Sequence, residues 1–397
     1  MGKEVRVARS LKVAVIGGGI GGIAAAGALH KLGCEVEVYE RASELGEVGA
    51  GLQIGPNGVK VLQALGLDPT LGGLAAEPVD TYSLAWDDGH VRFREPMKAT
   101  AVQKYGAPYI TAHRADLHRL LLEKVPDGAI HTDARCTEVL SDSRRAVARF
   151  ADGREVEADI VIGADGIRSA VREALFGAAP ARYTEQMAWR GMIAREDVPA
   201  RVGPNKSVEY SVMNYVGWIG PNGHVICYPI RGGELYNMFI GHVSPEWVEE
   251  SWTAPSTRED ILKAHEGWCE DLLGMLAKVG DIYKWGIYDR EPLKQWTRGR
   301  ITLVGDAAHP MMPTLAQGAS ITLEDAYAVA RNIARYRDDP ETGLKSYEGE
   351  RIARASGVQL QARRQFDNNR KVPPPPPLSR DWIFEYDASV GPKVSAA

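Results

Sequence analysis

Cysteine is scarce in this chain of 397 residues, and the few cysteines are poorly placed for disulfides or for metal. They stand at positions 34, 136, 227 and 269, and none of them forms a Cys-x-x-Cys pair. Small secreted domains held by disulfides, and structural zinc sites, both depend on closely spaced cysteines. We therefore expect no disulfide framework, no metal site and a reducing, cytoplasmic environment.

The chain also lacks an excess of positive charge and a convincing membrane segment. Its formal net charge is −5 at pH 7, which gives no basic field for nucleic acid or for an anionic membrane. An uncharged run from Val13 to Leu29 follows basic residues, as in a secretory signal. That run has five glycines in six positions and is short of a full span. We expect a soluble monomer or homodimer whose partners are small molecules.

The length of the chain exceeds what one ordinary hydrophobic core needs, which favours two domains. Residues 180–290 are richer in aromatic residues and in alternating, strand-like patterns than the rest. We therefore expect an α/β fold in which a discontinuous Rossmann-like domain, residues 1–179 and 291–371, is interrupted by a mixed or antiparallel sheet at 180–290. Residues 372–397 contain a proline run and are predicted to be a connector and tail.

A glycine-rich turn follows the first predicted strand. The motif Gly17-x-Gly19-x-x-Gly22 comes directly after the apolar run KVAVIG and opens a helix of small residues. Glycine at these positions permits a tight turn, close approach of a pyrophosphate to the backbone, and close packing of helix on strand. Glu40 ends the second predicted strand, where its carboxylate can accept hydrogen bonds from ribose hydroxyls. The unit predicts a dinucleotide site.

Residues 301–326 indicate which dinucleotide to expect. NAD is usually held within one contiguous sheet domain, whereas FAD is longer and often draws on a remote segment for its flavin end. In this segment a short apolar strand ends at Gly305 and Asp306, and a helix begins near residues 317–319. Asp306 can bond a ribityl hydroxyl, and the first helical N–H groups can stabilise negative charge on a reduced flavin. The sequence thus favours FAD, bound by both ends of the chain.

The segment GADG at 163–166 is a third motif with two interpretations. Asp165 lies in a tight strand-to-helix turn. It can contact the cofactor, or it can simply cap the following helix. The residues alone leave both roles open.

The motifs GxGxxG, GADG and GDAAHP, in this order, resemble those of the class A flavoprotein aromatic hydroxylases, whose best-known fold is that of para-hydroxybenzoate hydroxylase. The segments HRADLH, GHVICYPIRGGE and DWIFEYD are similar to those of the salicylate hydroxylase, 3-hydroxybenzoate 6-hydroxylase and 6-hydroxynicotinate 3-monooxygenase group. The resemblance implies a GR2-type FAD-binding domain with an inserted substrate-binding sheet and C-terminal helices. It also implies an NADH- or NADPH-dependent monooxygenase that carries FAD.

The resemblance further implies which residues hold the cofactor. Glu40 and Arg41 would hold its adenosine end, Arg114 would contact its chain, and Asp306 and Ala319 would hold the flavin end. His309 of GDAAHP is expected to shape the flavin loop. The complete expected cofactor set is Gly17, Gly19, Gly21, Gly22, Glu40, Arg41, Gln53, Arg114, Cys136, Asp165, Asp306, Gly318 and Ala319.

Two residues are expected at the substrate ring. His224 and Tyr228 share one face of a predicted strand because their separation is even, with Cα atoms about 13 Å apart. The resemblance implies His224 as the catalytic base that activates a phenol toward a flavin C4a-hydroperoxide, and Tyr228 as a catalytic donor that orients the substrate. A lone histidine is otherwise often exposed or bonded within its sheet. The expected substrate pocket comprises Gln53, His224, Tyr228, Pro313 and Thr314.

Three positions limit how far the substrate can be specified. Gln53 and Thr314 stand where the 6-hydroxynicotinate enzyme has histidines, and Pro313 stands where the 3-hydroxybenzoate enzyme has a loop glutamine. We therefore predict a class, a small hydroxylated aromatic or pyridine carboxylic acid, hydroxylated with or without decarboxylation. The chain has no second GxGxxG motif, so the nicotinamide donor is expected to dock transiently.

Two alternatives stay open at this stage. The same fold supports other FAD-dependent oxidations, namely epoxidation or dehydrogenation. A related fold also occurs in GDP-dissociation inhibitors, which bind prenylated GTPases rather than catalyse a reaction. Glu40 and the GDAAHP segment are both present here, which argues against such a binding protein.

Overall fold

The structure of this protein is a computed structural model that describes residues 10–46, 50–179, 181–210, 213–246, 254–371 and 375–391. The basic N-terminus, the start of the proline run and the extreme C-terminus, on which we made predictions, lie outside these ranges. The described strands are β1 (Lys12–Ile16), β2 (Glu35–Tyr39), β3 (Gly51–Ile54), β4 (Asp80–Ala85), β5 (Val91–Pro96), β6 (Ile110–His113), β7 (Ile130–His131), β8 (Cys136–Ser141), β9 (Ala146–Phe150), β10 (Glu155–Ala158), β11 (Ile160–Gly163), β12 (Arg182–Ala194), β13 (Arg201–Val202), β14 (Val208–Glu209), β15 (Tyr215–Gly220), β16 (Gly223–Ile230), β17 (Leu235–Val243), β18 (Ala254–Pro255), β19 (Gly280–Asp289) and β20 (Ile301–Leu303). The α-helices are α1 (Ile20–Lys31), α2 (Pro56–Ala64), α3 (Lys98–Tyr105), α4 (Arg114–Leu122), α5 (Ala170–Phe176), α6 (Arg258–Ala264), α7 (Glu270–Leu276), α8 (Gly318–Arg335), α9 (Pro340–Asn369) and α10 (Asp381–Phe384).

The first sheet is parallel, with the strand order β20-β11-β1-β2-β7. Its central strands are short apolar runs, as is typical of a parallel sheet covered on both faces, and Val13 and Leu303 are fully buried. The carboxyl ends of β1, β11 and β20 lie side by side. The segments that follow them begin at Gly17, Ala164 and Val304, so the three sequence motifs converge at one edge, where open parallel sheets bind ligands.

The larger sheet is mixed, with the order β18-β19-β12-β17-β16-β15-β4-β5. Strands β15 and β4 run parallel, and the other neighbouring strands run antiparallel. One face packs in a second hydrophobic core with Ile261 of α6 and Leu272 of α7. The alternation along β16 places Val225 and Cys227 in that core and leaves the intervening residues on the opposite face. The predicted α/β fold with a mixed sheet is confirmed.

One hairpin of the larger sheet comes from an unexpected part of the chain. Strands β4 and β5 span residues 80–96, which were predicted to belong to the Rossmann-like domain. Strand β4 pairs with β15, β5 pairs with β4, and the two form the end of the larger sheet. Pairing between distant segments leaves no local periodic signal, so the sequence did not indicate it. The division into domains otherwise stays a prediction.

Helices follow the last parallel strand, as the sequence predicted. Helix α8 packs against α1, and the 30-residue helix α9 packs against α8. The chain then returns along α9, and Ile383 and Phe384 of the C-terminal segment are buried. Among the helices that the structure describes, none is long and apolar enough to cross a membrane.

Candidate active site

A cavity of about 500 Å³ lies between the edge of the parallel sheet and the free face of the larger sheet. A site of this size is in the usual range for cofactors and small ligands. Most of the residues predicted from the sequence reach it. Those that line the cavity are Gly19, Gly21, Gln53, Arg114, His224, Tyr228, Asp306, Pro313, Thr314, Gly318 and Ala319.

The three motif glycines have different surroundings. Gly17 has a φ of 111°, and a Cβ there would lie 2.4 Å from the carbonyl oxygen of Ala164. A Cβ on Gly22 would lie 1.9 Å from the carbonyl oxygen of Gly17. A Cβ on Gly19 would meet open space on the cavity side. Gly17 and Gly22 therefore permit the packing of the loop itself, whereas Gly19 leaves room for a ligand to approach the backbone.

Glu40 and a histidine that was not predicted from the sequence support this loop. The Glu40 carboxylate accepts hydrogen bonds from the backbone N–H of Gly18, at 2.7 Å, and of Ala42, at 2.9 Å. Buried His118 donates from Nε2 to the carbonyl oxygen of Gly18 at 2.7 Å. These bonds fix the loop and leave each Glu40 oxygen with further acceptor capacity. Contact of Glu40 with a ribose stays a prediction.

Besides Gly17, Gly22 and Glu40, which shape the loop, three residues of the predicted cofactor set do not line the cavity. Arg41 is exposed beyond the loop. Cys136 is buried on β8, where burial raises the pKa of its thiol to about 12. Asp165 accepts hydrogen bonds from the Ser169 hydroxyl and from the Val171 N–H, so its side chain caps α5. The neighbours of Asp165, rather than its carboxylate, line the cavity, which favours the capping interpretation over direct cofactor contact.

The segment at residues 304–319 supplies two features suited to a polar ligand. Asp306 is exposed toward the cavity, and its carboxylate has no hydrogen-bond partner among the described residues. Gly318 and Ala319 are the first residues of α8 and also line the cavity. Their N–H groups have no partner within the helix. A free carboxylate, helix N–H groups and the open space at Gly19 together fit an elongated dinucleotide such as FAD.

A buried ionic network behind this segment was not predicted. Asp325 of α8 accepts hydrogen bonds from the Gly305 N–H, at 3.0 Å, from His309 Nε2, and from Arg351 Nε, at 2.8 Å. Arg351 also pairs with Glu324 at 2.6 Å, and both side chains are fully buried. Burial would raise the pKa of Asp325, but the charges of His309 and Arg351 outweigh burial and lower it. The network ties the loop that carries Asp306 to α8 and α9.

On the larger sheet, His224 and Tyr228 lie on the cavity face of β16, as their even spacing predicted. The His224 ring stacks on Phe239, with centroids 5.4 Å apart, and Tyr228 stacks on Tyr215 at 6.0 Å. Burial, and secondarily the charge of His265, lower the pKa of His224 to about 4. His224 is therefore a neutral imidazole near pH 7. Its role as a base stays a prediction.

Predicted and unpredicted polar residues meet at this end of the cavity, and Tyr109, Arg190 and Arg380 are among those that were not predicted from the sequence. The Tyr109 hydroxyl donates to Gln53 Oε1 at 2.5 Å. Burial raises the pKa of Tyr109 and of Tyr228, which keeps both hydroxyls protonated. The Thr314 hydroxyl donates to the carbonyl oxygen of Ala362, so this group is already engaged away from the cavity. The arginines on the cavity wall are Arg114, Arg190 and Arg380.

Comparison with known proteins finds one matching family model and close relatives over nearly the whole chain. The family model described as "FAD binding domain" matches residues 10–362. The chain is 38% identical to a 3-amino-4-hydroxybenzoate 2-monooxygenase of Streptomyces platensis, over 95% of this chain and 96% of that protein. It is 35% identical to the 6-hydroxynicotinate 3-monooxygenase of Pseudomonas fluorescens, over 98% of this chain and 100% of that protein.

Solved structures agree in fold over nearly the whole chain. Klebsiella pneumoniae HpxO, solved with FAD and uric acid, superposes with a TM-score of 0.81 at 26% identity, over 93% of this chain and 91% of that one. A salicylate hydroxylase substrate complex superposes with a TM-score of 0.79 at 26% identity, over 97% of this chain and 99% of that one.

Proposed function

The chain belongs to the FAD binding domain family, and we propose that it is an FAD-dependent monooxygenase that hydroxylates a small hydroxylated aromatic or pyridine carboxylic acid. The resemblance of the motifs to those of flavoprotein aromatic hydroxylases is confirmed, because the relatives are themselves aromatic-ring monooxygenases. The observation that carries the proposal is a single cavity that joins the glycine loop and the start of α8 to His224 and Tyr228. A cofactor and a substrate bound at these two ends would meet.

The residues at the cofactor end fit FAD. We propose that Gly19, Asp306 and Ala319 contact it, while Gly17 and Gly22 hold the backbone that surrounds it. When bound, FAD supplies the chemistry of accepting a hydride from NADH or NADPH and of activating O₂. The N–H groups at the start of α8 would favour negative charge at the flavin end.

The residues at the substrate end supply proton transfer and orientation. His224 is neutral near pH 7 because burial lowers its pKa to about 4, so its free nitrogen can accept the proton of a substrate hydroxyl. Negative charge that develops on the substrate ring would in turn stabilise the imidazolium. Tyr228 stays protonated and can donate a hydrogen bond to the substrate. The rings of Phe239 and Trp285 line the same wall and exclude water from it.

Three further assignments belong to this proposal. Residues 1–179 and 291–371 would bind the cofactor, and the inserted residues 180–290 would bind the substrate together with the hairpin at 80–96. NADH or NADPH would dock transiently over the flavin. A cytoplasmic location is supported by the four cysteines, which are all unpaired.

A panel experiment tests the proposal. The FAD-loaded protein is given hydroxylated benzoic and nicotinic acids, with the same rings lacking the hydroxyl as controls, and oxidation of NADH and of NADPH is followed. We expect at least one hydroxylated acid to accelerate the oxidation and to yield a hydroxylated product that carries one atom from labelled O₂. Oxidised products without label from every acid would instead indicate dehydrogenation.

A further inference from the structure

The C-terminal segment, residues 375–391, forms part of the cavity wall. Pro377, Leu378 and Arg380 line the cavity, although the sequence predicted only a connector and tail at this point. The segment reaches the end of the cavity that holds Tyr109 and Tyr215. Because these residues are far away in the sequence, the tertiary fold alone brings the segment to the site.

Specific contacts hold the segment in this place. The Leu378 N–H donates to Gln365 Oε1 of α9 at 2.8 Å. On the other side of Arg380, the Tyr105 hydroxyl of α3 donates to the Asp381 carboxylate at 2.5 Å. The Phe384 side chain that follows is 3% exposed. Anchors on both sides of Arg380 therefore give this residue a defined position.

The charge of Arg380 is only weakly neutralised by its protein neighbours. Its guanidinium lies 5.0 Å from the centre of the Phe384 ring and 5.8 Å from that of Tyr109. The carboxylate with which it pairs, Glu95, is 3.9 Å away and its side chain is 47% exposed. A pair at this distance is longer than a hydrogen-bonded salt bridge, and exposed pairs are weak. Arg380 thus presents a cation to the cavity.

The other two arginines of the cavity have different surroundings. Arg114 begins α4 and is predicted to contact the cofactor chain. The guanidinium of Arg190 lies 4.7 Å over the ring of Trp285, which occupies one of its faces. Arg380 instead lies beside Tyr109, the hydrogen-bond partner of Gln53. Its charge also acts against the burial that raises the pKa of Tyr215, the ring that stacks on Tyr228.

We propose that Arg380 binds the carboxylate of the substrate and thereby selects aromatic acids over neutral phenols. This inference rests on the proposed function. Two parallel N–H groups of a guanidinium match the two oxygens of a carboxylate, which makes such contacts both strong and directional. A ring without a carboxylate gains nothing from Arg380 and binds by stacking and by its hydroxyl alone. Selection of the acid would therefore depend on the C-terminal segment.

The test compares an acid that the wild-type enzyme hydroxylates with the same ring lacking the carboxylate. The variants are Arg380→Gln and Arg380→Lys, and the matched control is Arg370→Gln, which removes an exposed charge near the end of α9. KM and kcat are measured for both compounds, and the dissociation constant of benzoate is measured from the change in flavin absorbance. Arg380→Gln should raise KM for the acid about ten- to hundredfold and leave KM for the neutral ring unchanged. Arg380→Lys should recover part of the loss.

A second variant and the benzoate measurement cover the remaining outcomes. Arg380→Lys keeps the positive charge but loses the two parallel N–H groups. It decides the question if Arg380→Gln fails to retain FAD, because KM should then rise for the acid and stay unchanged for the neutral ring. Equal ratios of the two KM values in wild type and Arg380→Gln would overturn the inference, as would equal ratios in wild type and Arg380→Lys when Arg380→Gln cannot be prepared. If no acid is hydroxylated by the wild type, the proposed function fails, and benzoate binding still reports on Arg380.

Discussion

His309 and Asp325 form a buried hydrogen bond between the loop that carries Asp306 and helix α8, and both side chains are at most 2% exposed. The same carboxylate accepts the N–H of Gly305 at 3.0 Å, one residue before Asp306. The backbone next to Asp306, whose carboxylate is proposed to contact the cofactor, is therefore held by an interior pair rather than by its own loop. Arg351 of α9 forms an ion pair with the same Asp325 carboxylate.

The first prediction concerns this pair. Asp325→Asn leaves Arg351 and His309 without their shared anion, and removing one partner of a buried ion pair should cost about 3 kcal/mol of unfolding free energy. We also expect weaker FAD retention, because the loop at Gly305 loses its anchor. Urea unfolding and the ratio of flavin to protein absorbance measure the two effects. As a control, Glu123→Gln removes one partner of an exposed pair with Arg119 and should cost less than about 1 kcal/mol. Equal losses of unfolding free energy in Asp325→Asn and Glu123→Gln would contradict the role given to the buried Asp325 pair.

The second prediction concerns pH. Burial is the main cause that lowers the pKa of His224 and of His265 to about 4, against an ordinary value of 6.5. As pH falls, these histidines therefore bind protons in the unfolded chain before they do so in the folded protein. Their contribution to the free energy of unfolding is complete above pH 6.5 and is lost between pH 6.5 and about 4. Each histidine can add up to about 1.4 kcal/mol per pH unit to the slope of the unfolding free energy against pH. Urea unfolding across this range should show a shallower slope for His265→Gln and no change for exposed His30→Gln.

The third prediction concerns the glycine loop. Both Gly19 and Gly349 have open space where a Cβ would stand, but only the space at Gly19 belongs to the cavity. Gly19→Val should largely remove FAD from the purified protein, whereas Gly349→Val, on the exposed side of α9, should retain it. Asp306→Ala should weaken retention from the other end of the cofactor. Flavin absorbance after gel filtration measures all three, and full absorbance in Gly19→Val would refute the loop assignment.

The fourth prediction concerns His224. If it takes the proton of the substrate hydroxyl, His224→Ala should keep FAD and its reduction but lower the rate of coupled hydroxylation by about two orders of magnitude or more. Hydrogen peroxide release should rise, because a neutral phenol reacts poorly. Substrates that are already ionised at the assay pH should lose less. The measurement is product formed per NADH or NADPH consumed, with exposed His90→Ala as the control. Wild-type coupling in His224→Ala would make His224 a structural residue.

The motifs that could be predicted from the sequence act over short distances. The strand, the glycine turn and the helix that follow Lys12 lie within one unit of about thirty residues, whose geometry is set by local backbone requirements. His224 and Tyr228 could be assigned to one face because the side-chain period of a strand is two. The family resemblance extended this local information to Asp306 and Ala319, which the structure brings to the same cavity.

The contacts between distant segments were decided by the tertiary structure alone. Asp325 pairs with Arg351 across two helices, strands β4 and β5 join a sheet formed mostly by later strands, and Arg380 reaches the cavity from the C-terminal segment. Asp165 belongs to the same group, since its motif fits a cofactor contact and its hydrogen bonds show a helix cap. Such contacts depend on which buried charges and surfaces complement each other in space, and that complementarity leaves no periodic pattern along the chain.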